Sequence, residues 1–449
     1  MIKLVKLEKL LYLQMPNRFT NLFILFLVIV AVIMAYLRFG KPLAKFFPQQ
    51  SQPSELTQEE VTEALQEYVD QRVLLLEEMT AQQKIAQLMA MPLLIENKNA
   101  TGSGNSLVDD DLAISEDELL GATVSAQLTQ LEPGLITFFG SKINLETAKQ
   151  YLQSVRNIFQ NKKTSPLFVV DHEGGSVQRF SGEGFTVLPS LKESCQLEEQ
   201  KQLAQYQSSS KELAELGINI VFAPVVDLGG VALKDRSCLD FETTVITARS
   251  FISAFGEQQI MPVIKHFPGL GQTTRDLHYS SETVDLAADD TLIFSRLLEA
   301  FPNIGVMSSH LQLKDKLDGM PCSLSKDCLY LFEEEFPLVL LFSDALEMKA
   351  LDTTAAKLAK EFEFLTAELA QTDAGSILTQ EARLAVVSYH ALMAGNDVLV
   401  YGSDVSSEQL MMVNQELAAH YQQDEKFQQA VDGKVMKLLA VKKIDPLRN

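Results

Sequence analysis

The sequence predicts an α/β protein, a (β/α)8 barrel of the TIM type preceded by an N-terminal transmembrane helix. Three features of the 449 residues carry that expectation. Eight short, unbroken apolar runs recur along residues 87–401, with starts more than thirty residues apart. Polar, chemically capable side chains stand just after many of these runs, and one long uncharged stretch lies ahead of them all.

That stretch comes first in the chain. From Phe19 to Leu37 there is no charge and no proline, and residues 22–37 read LFILFLVIVAVIMAYL, bracketed by Arg18 and Arg38. At roughly 1.5 Å per residue this is just long enough to cross a bilayer's hydrocarbon core. No small-x-small cleavage site follows, since Arg38, Phe39, Gly40 and Lys41 come next, so an uncleaved anchor is expected. The domain plan is therefore a basic segment at 1–18, an anchor at 19–38, a polar, proline-containing linker at 39–60 and a barrel at 61–449. Lys3, Lys6, Lys9 and Arg18 before the anchor slightly favour an internal N-terminus and an exported, extracytoplasmic body, with a cytoplasmic orientation as the alternative.

Residues 1–45 hold seven Lys and Arg against one acid, whereas the rest of the chain holds 31 against 58. A body that acidic argues against nucleic acid as a partner, because affinity for phosphate backbones needs clustered positive charge. With 46% hydrophobic and 22% charged residues the chain can bury a large core. Cys195, Cys238, Cys322 and Cys328 show no CxxC or Cys/His ligand spacing. Cys322 and Cys328 can pair in an exported protein, but buried free thiols are the expected state. Residues 96–118, rich in Gly, Asn, Ser and Asp, read as a surface loop.

The eight apolar runs are Gln87–Leu94, Leu135–Phe139, Leu167–Val170, Ile220–Val226, Met261–Ile264, Ile304–Met307, Leu338–Phe342 and Val398–Tyr401. Continuous rather than alternating hydrophobicity marks strands buried on both faces of a parallel sheet, and the intervals leave room for crossover helices. Eight such units suggest a closed barrel, with a doubly wound open sheet as the alternative. Pro224 and Pro262 each remove a ladder donor, so their strands should begin or bulge there. After the runs come Asp171, His172 and Glu173, then Asp227, Lys265 and His266, His310, and Ser343 and Asp344. In a barrel, these C-terminal strand ends converge on one mouth. Taken singly, His310 and Asp227 read as hydrogen-bonded structural residues, and Asp344 has a competing reading as a helix N-cap.

Six motifs occur in order: VDHEGGSVQRF (170–180), ELGINIVFAPVVDL (215–228), KHFPGLGQTTRDLH (265–278), GVMSSHL (305–311), LFSDALEM (341–348) and AGNDVL (394–399). With them the chain resembles glycoside hydrolase family 3, in its single-domain β-N-acetylglucosaminidase (β-hexosaminidase) branch. The resemblance implies a retaining glycosidase that removes terminal β-N-acetylglucosamine, with peptidoglycan fragments as the natural substrate. Asp344 would be the nucleophile and His278, oriented by Asp276, the acid/base, since an imidazole titrating near neutral pH both gives and takes a proton. Asp171, Arg179, Arg236, Lys265 and His266 would bind the sugar, and Gly174 and Gly175 would let backbone approach it.

No metal or organic cofactor is implied, and a monomer holding a carbohydrate substrate is expected. Three departures bear on substrate preference: Ser176, Leu270 and Ala345 stand where the family carries polar groups. They motivate one alternative, a catalytically impaired, membrane-tethered glycan-binding protein. A β-glucosidase-type hydrolase of the same family is another. Metal-dependent hydrolases are disfavoured because no HxH occurs in the chain.

Overall fold

The computed structural model describes residues 72–95, 120–229, 233–238, 240–314, 318–370 and 378–442. They belong to one compact unit, Val69–Asn449. The expected anchor and linker and the loop at 96–118 lie outside the described residues. Among the described residues, no helix is long and apolar enough to cross a membrane.

All eight apolar runs contribute strands to one sheet: β1 (Met89–Leu94), β2 (Leu135–Phe139), β3 (Leu167–Val170), β4 (Ile220–Val221), β5 (Met261–Phe267), β6 (Gly305–Ser308), β7 (Leu341–Ser343) and β8 (Leu399–Val400). They pair in the order β7-β6-β5-β4-β3-β2-β1-β8. Each pairing is parallel. A parallel bridge between Phe342 and Val398 joins the two ends, so the sheet curls into a barrel-like ring. Each strand is followed by a helix: α2 (Ala122–Leu131), α3 (Leu145–Phe159), α4 (Glu199–Glu215), α5 (Phe241–Glu257), α6 (Ala288–Ala300), α7 (Lys326–Glu335), α8 (Gln380–Ala394) and α9 (Ser407–Gln423). Helix α1 (Ala81–Gln87) leads into β1, and α10 (Glu425–Lys442) closes the described chain. Caps set several helix starts. Thr80 and Ser406 form capping boxes with Gln83 and Gln409, and Asn144, Asp240 and Thr379 each accept a first-turn N–H.

The strands are buried because both faces are covered, by helices outside and by facing strands inside. All four residues of β3 are buried. Within the ring, Phe222 and Phe342 meet edge to face at 5.6 Å, each ring worth roughly 1.5–3 kcal/mol of burial. Gly305 makes that possible, since a Cβ there would stand 2.8 Å from the Phe342 ring. Met411 and Met412, on α9, pack against this core.

Two expectations need correction. The run Ile220–Val226 is not one continuous strand: β4 pairs over Ile220–Val221, the ladder lapses before Pro224 and a bridge resumes at Val225 opposite Lys265, while Pro262 sits one residue inside the start of β5, so each proline falls at a break or a start as expected. The cysteines are not free thiols: Cys195 pairs with Cys238 and Cys322 with Cys328, at Cα separations of 6.0 and 5.2 Å. Those spans suit a disulfide, and the first partner is brought close only by the fold, 43 residues along the chain.

Candidate active site

The carboxyl ends of the strands surround a cavity of about 1040 Å³. Asp171, Arg179, Arg236, Lys265, His266, His278 and Asp344 all line it. Asp276 does not, and acts on the cavity through its bond to His278.

One wall is a chain of paired charges. Beyond β3 the backbone folds into a small antiparallel hairpin, His172–Gly174 against Val177–Gln178, which presents Asp171, Glu173 and Arg179 side by side. Arg179 Nη2 donates to Asp171 Oδ2 at 3.1 Å, and Lys265 Nζ lies 3.3 Å from Asp171 Oδ1 and 2.6 Å from Glu173 Oε1. Arg236 clamps Glu173 with two parallel bonds of 2.8 and 2.9 Å. Burial alone would push the Glu173 carboxyl up, but Lys265 and Arg236 hold it far below the usual carboxylate range. Glu173 thus sits at the centre of the network, although the sequence marks it only as one polar residue among several. Gly174 and Gly175 take positive φ of 96° and 56° to pass close to the chain at 188–190, where an added Cβ would lie 2.2 Å from the Pro189 carbonyl and 2.7 Å from Ser190 Cβ. Their small size serves this internal packing.

Asp227, fully buried after β4, accepts from His266 Nδ1 at 2.7 Å and from the backbone N–H groups of His266 and Leu270. It fixes the imidazole as well as the turn that carries Leu270 past the strand. At position 270 only the backbone takes part, so a leucine side chain, itself buried, is tolerated.

Asp344 follows β7, and its N–H bonds to the Ser308 carbonyl at 2.9 Å. No helix begins there, so the N-cap reading does not hold; the carboxylate accepts instead from the adjacent Ala345 N–H at 2.8 Å. Burial would raise its pKa, but the imidazoles of His266, His310 and His278 and the Ala345 N–H outweigh that and hold it below its ordinary value of 3.8. Asp344 therefore stays ionised above that pH. His310, buried after β6, donates from Nε2 to the Ala345 carbonyl at 2.9 Å and accepts from Ser323 Oγ at Nδ1, 2.7 Å away. Its burial disfavours the charged form. It braces the loop that carries Asp344, the structural part expected of it.

The long loop after β5 carries His278. Its Nδ1 lies 2.7 Å from Asp276 Oδ1, which also accepts the His278 N–H at 2.9 Å. Burial opposes but does not cancel the effect of these bonds, and the Asp276 carboxyl lies below its ordinary value. The loop is pinned by Leu277, which is buried, and by two bonds of 3.3 Å from the N–H groups of Lys349 and Ala350 to the carbonyls of His278 and Leu277. The segment just beyond Asp344 thus holds the exposed imidazole at the cavity mouth.

Glu347 and Asp404 also line the cavity, and of the two only Glu347 falls within a sequence motif, LFSDALEM. Glu347 Oε2 accepts the Gly402 N–H at 3.0 Å, and burial, reinforced by Asp344 and Asp404, pushes its carboxyl up. A side chain at 402 would collide with that carboxylate, which accounts for the glycine. Among the described residues no three His, Cys, Asp or Glu gather as a metal site.

The family model for the glycosyl hydrolase family 3 N-terminal domain matches residues 80–441. A β-hexosaminidase of Haemophilus influenzae is 34% identical over 239 residues, which cover 49% of this chain and 65% of that protein. Among solved structures, a β-N-acetylhexosaminidase from Beutenbergia cavernae superposes with a TM-score of 0.61 at 21% identity, covering 82% of this chain and 99% of that one. Mycobacterium tuberculosis LpqI superposes with a TM-score of 0.59 at 23% identity, covering 81% and 94%.

Proposed function

This chain belongs to glycosyl hydrolase family 3, and from that premise we propose that it is a retaining β-N-acetylhexosaminidase which removes terminal β-N-acetylglucosamine from glycans. The observation that carries the reading is the pairing, in one cavity, of an ionised Asp344 with an aspartate-bound imidazole, His278, on a separate loop. In the first step the Asp344 carboxylate attacks the anomeric carbon while protonated His278 gives its proton to the departing glycosidic oxygen. In the second, neutral His278 takes a proton from water, and the resulting hydroxide displaces Asp344 from the glycosyl-enzyme. Asp171, Arg179, Arg236, Lys265 and His266 hold the sugar hydroxyls through charge-assisted bonds.

The acetamido specificity is supported by the β-hexosaminidase relative. Peptidoglycan fragments are the proposed natural substrate, on the family resemblance of the six motifs. An exported barrel on a membrane anchor is the proposed location, and the two disulfides fit an oxidising compartment.

The test is release of nitrophenol from a nitrophenyl β-N-acetylglucosaminide and from the matching β-glucoside by the full chain and by Asp344→Ala. Release from the acetamido sugar alone, with turnover down roughly a thousand-fold or more in the variant, is expected. Equal release from the glucoside would move the substrate class to β-glucosides. No release from either, with N-acetylglucosamine still bound, would make the protein a glycan-binding one.

A further inference from the structure

We propose that the Cys195–Cys238 disulfide is a positioning device for Arg236, so that sugar affinity depends on its being formed. The inference rests on the reading of the cavity as a hexosaminidase site.

Arg236 stands two residues before Cys238 and sends its guanidinium to Glu173 in the cavity wall. Its backbone lies on the segment Leu233–Cys238, which belongs to no strand of the barrel and so lacks a ladder to fix it. Two ties from the short helix Leu191–Ser194 hold that segment. One is a 3.0 Å bond from the Lys192 N–H to the Asp235 carbonyl, and the other is the disulfide from Cys195, the helix C-cap. Cys238 is 1% exposed and packed with Leu191 and Val225, so the sulfur bridge is anchored against the inner wall rather than hanging in solvent. The helix is anchored in turn: Ser190 and Glu193 form a capping box, and Gln202 of α4 donates to the Ser194 carbonyl at 2.9 Å.

The geometry makes the bridge more than a staple. An arginine has several rotatable bonds, and a bidentate clamp is lost when its backbone drifts by even about 1 Å. Glu173 is also held by Lys265, so it stays ionised and in place when Arg236 moves. The nucleophile and the acid/base sit on other loops where, among the described residues, their side chains bond Ala345 and Asp276 and not the segment, and Arg236 reaches Asp276 only through its charge. Cutting the bridge should therefore weaken ground-state and transition-state binding alike and leave the chemical step alone.

The experiment compares the full chain with Cys195→Ala/Cys238→Ala, each also carrying Arg236→Ala. KM and kcat are measured on the nitrophenyl β-N-acetylglucosaminide, and affinity for free N-acetylglucosamine by calorimetry. In the Arg236 background, loss of the bridge should raise KM and the dissociation constant roughly three- to ten-fold with kcat within about two-fold. In the Arg236→Ala background it should change neither. A fall in melting temperature alone, or an equal effect in both backgrounds, would mean a purely structural bridge and overturn the proposal. If the double variant does not fold, the native chain is treated with dithiothreitol below its melting temperature. Each dithiol becomes its cyclic disulfide as the two cysteines take up two electrons and two protons. Unchanged affinity with Cys195 and Cys238 alkylated by a thiol reagent would then sink the idea. A wild-type chain that neither turns over nor binds the sugar would instead sink the hexosaminidase reading.

Discussion

Two Asp–His pairs stand within one loop's reach of each other, and they share a local geometry. In each, the aspartate takes the histidine Nδ1 at 2.7 Å and also the histidine's own backbone N–H. Burial separates them. The side chains of His266 and Asp227 are 7% and 0% exposed, those of His278 and Asp276 59% and 46%. The origin of the carboxylate differs as well. Asp227 comes from the end of the preceding strand, 39 residues away, and also holds Leu270, whereas Asp276 lies two residues from its histidine on the same loop. A pair locked from another strand suits a fixed binding group. A pair carried together on one exposed loop suits proton exchange with a leaving group and with water.

The largest effect that tests this contrast is on turnover. His278→Ala should lower kcat by roughly 10²-fold or more and flatten its pH profile, while His266→Ala should act mainly on KM. A flattened profile in His266→Ala with an unchanged one in His278→Ala would exchange the two roles. Next comes stability. Asp227→Ala strands buried N–H donors and should cost about 3 kcal/mol in urea unfolding, against less than about 1 kcal/mol for the exposed Asp276→Ala. Equal losses would erase the distinction between the buried and the exposed pair.

The smallest effect concerns Glu347, a cavity carboxyl with no imidazole beside it. Burial and the neighbouring Asp344 and Asp404 raise its pKa above the ordinary 4.5. A carboxyl raised on folding costs stability only at pH values above its unfolded pKa, where the native state is forced to ionise it. Glu347→Gln should therefore raise the melting temperature by about 2 °C at neutral pH, a gain that fades as the pH falls through 4.5. A gain that is the same at every pH would point to packing instead of charge.

Much of the fold was legible because its signals are local. Unbroken runs such as Leu167–Val170 announce strands covered on both sides, and all eight lie in the sheet. The residues after those runs were legible as a site for the same reason: parallel strands in a ring bring their carboxyl ends together whatever the order of the loops. Seven of the eight expected site residues line the cavity, and the eighth, Asp276, bonds one of them. Glu347 and Glu173 were harder to see, since a glutamate shows no periodicity that tells a solvated position from a cavity wall.

What the sequence by itself determined is the strand pattern, the chemistry collected at the strand ends and the family those motifs resemble. Tertiary structure alone decided which charges meet. It joined Cys195 to Cys238, gave Asp227 to His266, placed Glu173 between Lys265 and Arg236, and packed two glycines against residues 188–190. The physical reason is range. Hydrophobic period and turn chemistry act over a few residues and are written in spacing, whereas these contacts cross from one strand end to the next and exist only once the ring has closed.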